Sequence, residues 1–253
     1  MQVFKKLHEQ DQPLLLANVW DVSSAKCAEQ AGYQAIGTSS AAMAYILGYD
    51  DGEQMPFSGL VFMVKRIAAA TSLPLTVDIE AGYSRDTKVI AEHIKQLNQF
   101  GVVGVNIEDS IVDGERMLVD RDNFSNLITT LRKYLTELGV DVFINVRSDV
   151  FLLGLEGARD EAVLRAKNYQ SAGANGIFFP CLTCEEDIRA IVEATLLPIN
   201  VMAMPDLPEI SVLANLGVKR ISTGNFAHDS IYKQLTNLLV DIKDKQSCQP
   251  LFT

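Results

Sequence analysis

Apolar residues recur along the chain in two alternating patterns. Short, nearly continuous apolar runs cover 13–19, 35–38, 75–79, 103–107, 142–146, 176–179, 198–202 and 219–222. They are rich in Val and Ile and predict strands of a parallel sheet covered on both faces. Longer segments with helical spacing lie between them, at 23–31, 58–71, 86–100, 124–138, 159–172, 185–195, 208–216 and 230–245. Asp86 stands where an N-cap would, and Gly32, Gly101, Gly139, Gly173 and Gly217 stand where helices would stop. The segments 39–57 and 110–122 break this rhythm and read as polar loops. Eight strand-then-helix units predict an α/β fold, a (β/α)8 TIM barrel forming a single domain over 1–253. A doubly wound open sheet is the alternative.

Composition changes this picture little. The 253 residues carry a net charge of −10, which argues against nucleic acid or an anionic membrane as partner. Small anionic substrates stay open, because a local cation can override the mean field. The cysteines, at 27, 181, 184 and 248, are too scattered for a disulfide framework. No apolar stretch reaches the roughly 18–20 residues of a membrane helix, and no secretory signal is recognisable, so a cytoplasmic setting is expected.

In a barrel the reactive groups sit where strands run into the following loops. Those ends hold Asn18, Trp20 and Asp21, then Thr38, Ser39 and Ser40, then Asp78 and Glu80. Asn106, Glu108 and Asp109 follow, then Asn145, Arg147 and Asp149, and later Cys181. Asp78 and Glu80 stand two apart and share a strand face, with Glu108 on the neighbouring strand. Three converging carboxylates need a compensating cation, and hard oxygen donors suit Mg2+ or Mn2+. The competing role for this acidic set is capping or ion pairing. Arg147 is either a clamp on a substrate carboxylate or an ion-pair partner of Glu108 or Asp149. Thr38, Ser39 and Ser40 are small and polar, suited to holding a carboxylate or oxyanion. Cys181 with Cys184 forms a CxxC without a second pair, so Cys181 is placed only at the mouth of the site.

These residues resemble the isocitrate lyase and phosphoenolpyruvate mutase superfamily, from about Leu14 to Tyr232. The resemblance is carried by Asn18-Val19-Trp20-Asp21, Gly37-Thr38-Ser39-Ser40, Leu47-Gly48-Tyr49-Asp50-Asp51-Gly52, Val77-Asp78-Ile79-Glu80-Ala81-Gly82-Tyr83, Asn106-Ile107-Glu108-Asp109-Ser110 and Asn145-Val146-Arg147-Ser148-Asp149. It implies Mg2+ held mainly by Asp78 and Glu80, with Asp51 and Glu108 nearby and water between. It implies a 2-oxo acid or its enolate as ligand. The metal and the Ser39-Ser40 backbone would take its oxyanion, and Arg147 its carboxylate. It also implies a homo-oligomer, a dimer or tetramer exchanging its last helix.

Two departures stand out. The usual Asp-x-Asp is Asp78-Ile79-Glu80, and the loop after the fourth strand, 111–119, lacks the Lys-Arg/Lys-Cys-Gly-His segment of the lyases.

The expected activity is therefore a Mg2+-dependent lyase of small 2-oxo or 2-hydroxy carboxylic acids, breaking a C–C bond through a stabilised enolate. Arg147, Glu115, Arg116 and Tyr49 are the candidate catalytic or gating residues. Trp20, Thr38, Ser39, Ser40, Asp51, Asn106, Arg147 and Cys181 are the candidate substrate contacts. Asp78, Glu80 and Glu108 are the candidate metal ligands. The alternatives are P–C chemistry, as in a phosphonopyruvate hydrolase or mutase, and a non-catalytic barrel that binds a metabolite.

Overall fold

The apolar runs become strands because each buries both faces. In the computed structural model, which describes residues 1–252, eight parallel strands close into a barrel. In chain order these are β1 (Leu14–Val19), β2 (Ile36–Thr38), β3 (Leu75–Asp78), β4 (Val102–Glu108), β7 (Phe143–Arg147), β8 (Gly176–Phe179), β9 (Ile199–Met202) and β10 (Arg220–Ser222). β10 pairs back onto β1 through Leu14 and Arg220. The open sheet is thereby excluded.

Ten helices accompany them among the described residues: α1 (Gln2–Lys6), α2 (Val22–Gln30), α3 (Ser40–Ile46), α4 (Phe57–Ala68), α5 (Thr87–Asn98), α6 (Arg121–Glu137), α7 (Ala158–Ser171), α8 (Glu185–Ala194), α9 (Ile210–Leu216) and α10 (Phe226–Lys245). Local chemistry sets their starts. Asp21 caps α2 by accepting from the Ser24 N–H at 2.7 Å, and Asp86 caps α5 through Lys88 at 2.8 Å. On α5, Ile90, Ile94 and Leu97 face the sheet and are fully buried. Each such side chain contributes roughly 1.5–3 kcal/mol.

Two segments read as loops are ordered. Residues 40–46 form α3, which buries Ser40, Ala42, Met43 and Ala44 and leaves Tyr45 exposed. Residues 110–118 form an antiparallel hairpin, β5 (Ser110–Asp113) and β6 (Glu115–Leu118), turning at Gly114 with φ 75°. Each strand is only four residues long, too short a span for alternation to stand out from a polar loop.

The barrel interior is filled by alternate strand residues. Gly176 has no side chain because Asn145 and Phe143 occupy its space; a Cβ there would lie 2.8 Å from Asn145 Oδ1. Register brings the polar strand ends together: Asp78 opposite Asn106, and Glu108 opposite Arg147.

The far end of α10 behaves differently. Ile231, Leu235, Leu239 and Val240 are exposed, and His228 is the one fully buried residue of that helix.

Candidate active site

A cavity of about 260 Å3 opens at the C-terminal ends of the strands. Asp78, Asn106, Arg147 and Ser40 line it, with Asp51 at its edge. Of the sequence-predicted residues, these five and Ser39 meet in one place.

Asp78 ends β3. Its backbone N–H donates to Thr38 Oγ1 at 2.8 Å, and its Oδ2 accepts from Ser40 Oγ at 3.0 Å. Thr38 therefore braces the strand end and Ser40 orients the carboxylate. Burial pushes the Asp78 carboxyl up, while the Arg147 charge works against that shift.

Glu80 sits one step beyond, in the left-handed region at φ 49°. This backbone turns its carboxylate toward Tyr83, whose hydroxyl donates to Oε1 at 2.9 Å, and toward the Glu53 N–H at 2.6 Å from Oε2. Burial pushes Glu80 up to about 7, and the charges of Asp51 and Asp78 add to the effect.

Glu108 faces a different partner. Its Oε2 lies 2.6 Å from Arg116 Nη1 and 3.3 Å from Arg147 Nη2. The compensating cation that its burial demands is thus a pair of guanidiniums. Among the described residues no three His, Cys, Asp or Glu side chains form a ready metal nest. The three carboxylates stay close enough to raise one another's pKa, but their contacts differ: Asp78 lines the cavity, Glu80 is held by Tyr83 and the Glu53 N–H, and Glu108 is paired with Arg116 and Arg147.

The open alternative for Arg147 also resolves into contacts. Arg147 Nε donates to Asp149 Oδ1 at 2.7 Å, and Nη2 to Asp149 Oδ2 at 3.3 Å. These contacts use Nε and Nη2 and leave Nη1 outside them. Arg147 keeps its proton because burial, which opposes the charge, is outweighed by Glu108, Asp149 and Asp78. Asp149 is fully buried; burial opposes its ionisation, yet Arg147, Ser110 and Arg116 hold it below the usual carboxylate range.

The hairpin delivers Arg116. Its Nη1 also donates to Ser110 Oγ at 2.9 Å and to Asp149 Oδ2 at 3.0 Å, and Nη2 lies 3.6 Å from Asp51. Alternation along β6 turns the neighbouring Glu115 outward, exposed and paired in register with Asp113, so the structure does not bring it to the cavity.

Other predicted contacts are placed as follows. Ser39 spends its backbone N–H on Val19 O at 3.0 Å and its hydroxyl on capping α3. Ser39, Ser40 and Ala41 all line the cavity, and with the Ser39 N–H spent on Val19 O the first-turn N–H groups of Ser40 and Ala41 are the donors left there. Trp20 lines a separate, apolar cavity of about 450 Å3 between α2 and α10, roomier than the mouth but without Asp78, Glu108 or Arg147. Tyr49 lies in a third recess of about 480 Å3 that shares Asp51 with the mouth. Cys181 has φ 63° and sits half-buried beside Pro180, which lines the cavity. Asn106 Oδ1 accepts from Asn145 Nδ2 at 2.9 Å, so both amides are fixed.

Sequence reasoning noted Ser110 in a motif and Asn225 at the eighth strand end without giving either a role, and missed Asp229. The last two line the cavity from the start of α10. Their signal was the eighth strand end, but helix α10 begins four residues earlier than its periodicity suggested.

A family model for phosphoenolpyruvate phosphomutase matches residues 4–243. The chain belongs to that family. A structure from Burkholderia cenocepacia J2315, provisionally named a phosphonomutase, is 39% identical with a TM-score of 0.88, covering 94% of this chain and 98% of its own. The uncharacterized protein Rv1998c of Mycobacterium tuberculosis is 31% identical, covering 90% of this chain and 83% of its own. An oxaloacetate decarboxylase of Bradyrhizobium sp. is 28% identical, covering 85% and 74%. A phosphonopyruvate hydrolase solved with oxalate and Mg2+ shares the fold at 23% identity and TM-score 0.84, covering 97% and 87%. Membership in this family of lyases and mutases makes the barrel an enzyme.

Proposed function

We propose that this enzyme is a Mg2+-dependent lyase that breaks a C–C bond of a small 2-oxo carboxylic acid, oxaloacetate-type decarboxylation being the leading case. The observation that carries the reading is that Arg147 and Asp78 line one cavity of about 260 Å3, a size suited to a three- or four-carbon acid. The oxaloacetate decarboxylases among its relatives support it.

The donor set fits Mg2+ rather than a metal that needs a full protein cage. Mg2+ keeps several waters and takes one or two carboxylates plus substrate oxygens. Asp78 is a cavity-facing carboxylate, and the negative field it shares with Glu80 and Asp51 is what a dication would relieve. Asp78 and Glu80 would hold the ion, with Asp51 acting through water. When bound, Mg2+ supplies Lewis-acid stabilisation of a developing enolate oxygen.

The chain's own residues supply the rest. Arg147, held rigid by Asp149, binds a carboxylate of the substrate. The Ser40 and Ala41 N–H groups and the fixed Asn106 amide are placed around the 2-oxo group, where negative charge grows as the C–C bond breaks. Each such donor lowers the barrier by about 3 kcal/mol. Arg116 latches the hairpin over Glu108 and keeps water out. Tyr49 and Glu115 stand back from the cavity and take no step here.

P–C chemistry is the less favoured reading. A phosphonate dianion calls for several free cations, and with Arg116 paired to Glu108 and Asp149 only Arg147 lines the cavity.

The exposed apolar stripe of α10 supports a homo-oligomer in which that helix packs on a second copy.

The test incubates the protein with Mg2+ and a panel of 2-oxo and 2-hydroxy diacids, following pyruvate or glyoxylate, with phosphonopyruvate followed by 31P NMR in parallel. Release of pyruvate or glyoxylate supports the reading. Turnover of phosphonopyruvate alone overturns it.

A further inference from the structure

One layer beneath the cavity, the barrel interior holds an arginine without an anion. Ser222, Met202 and Asp78 line the cavity from β10, β9 and β3. The period of two along a strand then points Arg220, Asn200 and Thr76 to the same interior, one layer down. Their exposures are 1%, 1% and 2%, and Arg220 and Asn200 are register partners on adjacent strands.

None of these side chains finds its complement among the described residues. Arg220 Nε and Nη1, both amide atoms of Asn200 and Thr76 Oγ1 are buried without a hydrogen-bond partner. The Phe4 ring on α1 lies 6.0 Å from the guanidinium. A ring face offers a cation no hydrogen-bond acceptor in line with its N–H groups.

A guanidinium cannot shed its proton to escape burial, so it needs a counter-charge. Burial depresses Arg220 to about 9, and Asp78, the one carboxylate felt there, restores little. His8, which closes the floor of the barrel stacked on Phe143 at 4.6 Å, gives no negative charge. Its Nδ1 lies 3.0 Å from Phe4 O, which makes Nδ1 the donor and leaves Nε2 a buried acceptor. The unpaired donors around Arg220 are its own N–H groups and the Asn200 amide N–H, which a negative charge would answer, while Asn200 Oδ1 and His8 Nε2 are unpaired acceptors.

We propose that Arg220 and Asn200 hold a monovalent halide-sized anion inside the barrel, beneath the active-site cavity. The anion completes the core electrostatically and is structural, not a substrate. The layer it occupies is separate from the mouth residues to which catalysis is assigned, so the inference stands or falls independently of the proposed reaction.

The experiment uses the full chain, exchanged into a halide-free gluconate buffer. Sodium bromide is titrated against sodium gluconate at constant ionic strength while the thermal midpoint is followed. Crystals soaked in bromide are measured at its absorption edge. The expected result is a saturable, bromide-specific rise in the midpoint, about 3 °C at a tenfold excess over the dissociation constant. An anomalous peak within hydrogen-bond distance of Arg220 and Asn200 accompanies it. Arg220→Met loses both signals. If that variant does not fold, Asn200→Leu is used and binds bromide more weakly. A midpoint that tracks ionic strength alone, or bromide found only on surface lysines with water beside Arg220, overturns the proposal.

Discussion

Arg116 Nη1 lies 2.6 Å from Glu108 Oε2, so a side chain from the hairpin neutralises a carboxylate rooted in the barrel wall. The same nitrogen reaches Asp149, which in turn grips Arg147. The hairpin, the wall and the arginine proposed to bind the substrate carboxylate are thus one charged array. Removing Arg116 leaves Glu108 and Asp149 buried with one cation fewer. Because Arg116 keeps contact with solvent, the expected loss for Arg116→Met is discounted to about 2 kcal/mol of stability. Urea unfolding checks this figure, and steady-state kinetics should show kcat falling as the hairpin loosens.

Arg147→Lys tests the clamp. Lysine keeps the charge but cannot hold Asp149 through two nitrogens and a ligand through a third. The expectation is a loss in kcat/KM of about 100-fold, carried mostly by KM, or about 3 kcal/mol. Circular dichroism of the variant should match the parent.

Glu80 sets a pH dependence. Its carboxyl titrates near 4.5 in an unfolded chain and at about 7 in the folded one. Between those values the folded protein holds a proton that the unfolded chain has lost. Without added metal, stability therefore falls as pH rises from about 4.5 through about 7 and then levels off. Glu80→Gln removes this slope and is more stable than the parent at pH 8, by roughly 2–3 kcal/mol. Chemical denaturation of both proteins across pH 4–9 in chelator reads the difference.

Asp109 anchors the array from behind. It is fully buried and accepts from Arg165 Nη1 and the Tyr169 hydroxyl, each at 2.8 Å, while its Oδ1 accepts from the Asp149 N–H at 3.1 Å. Arg165 also donates to Val119 O at the foot of the hairpin, at 3.1 Å. Arg165→Met strands a buried carboxylate and should cost about 3 kcal/mol, which calorimetry would show as a fall in midpoint of about 6–12 °C.

The barrel was legible because eight Val- and Ile-rich runs alternated with amphipathic segments, and strand ends such as Asp78, Glu108 and Arg147 followed from that register. The orientation of the carboxylates was not. Glu80 leaves its strand's alternation through a left-handed backbone, which no two-residue spacing reveals. Arg116 reaches the site only because residues 110–118 pair as a hairpin, and Glu108 is neutralised from there. The cap at Ser39 shows the same limit: its residue type fitted an oxyanion site, but its N–H was already spent on β1.

The role given to Asp78 is tested most directly by following pyruvate release from oxaloacetate with Mg2+, with chelator, and with Asp78→Asn. Oxaloacetate also decarboxylates unaided, so each rate is taken above a protein-free control. Metal-dependent release that drops at least about 100-fold in the variant, while its fold is retained, is the predicted result. Release above control that is indifferent to the chelator and to Asp78→Asn contradicts the account.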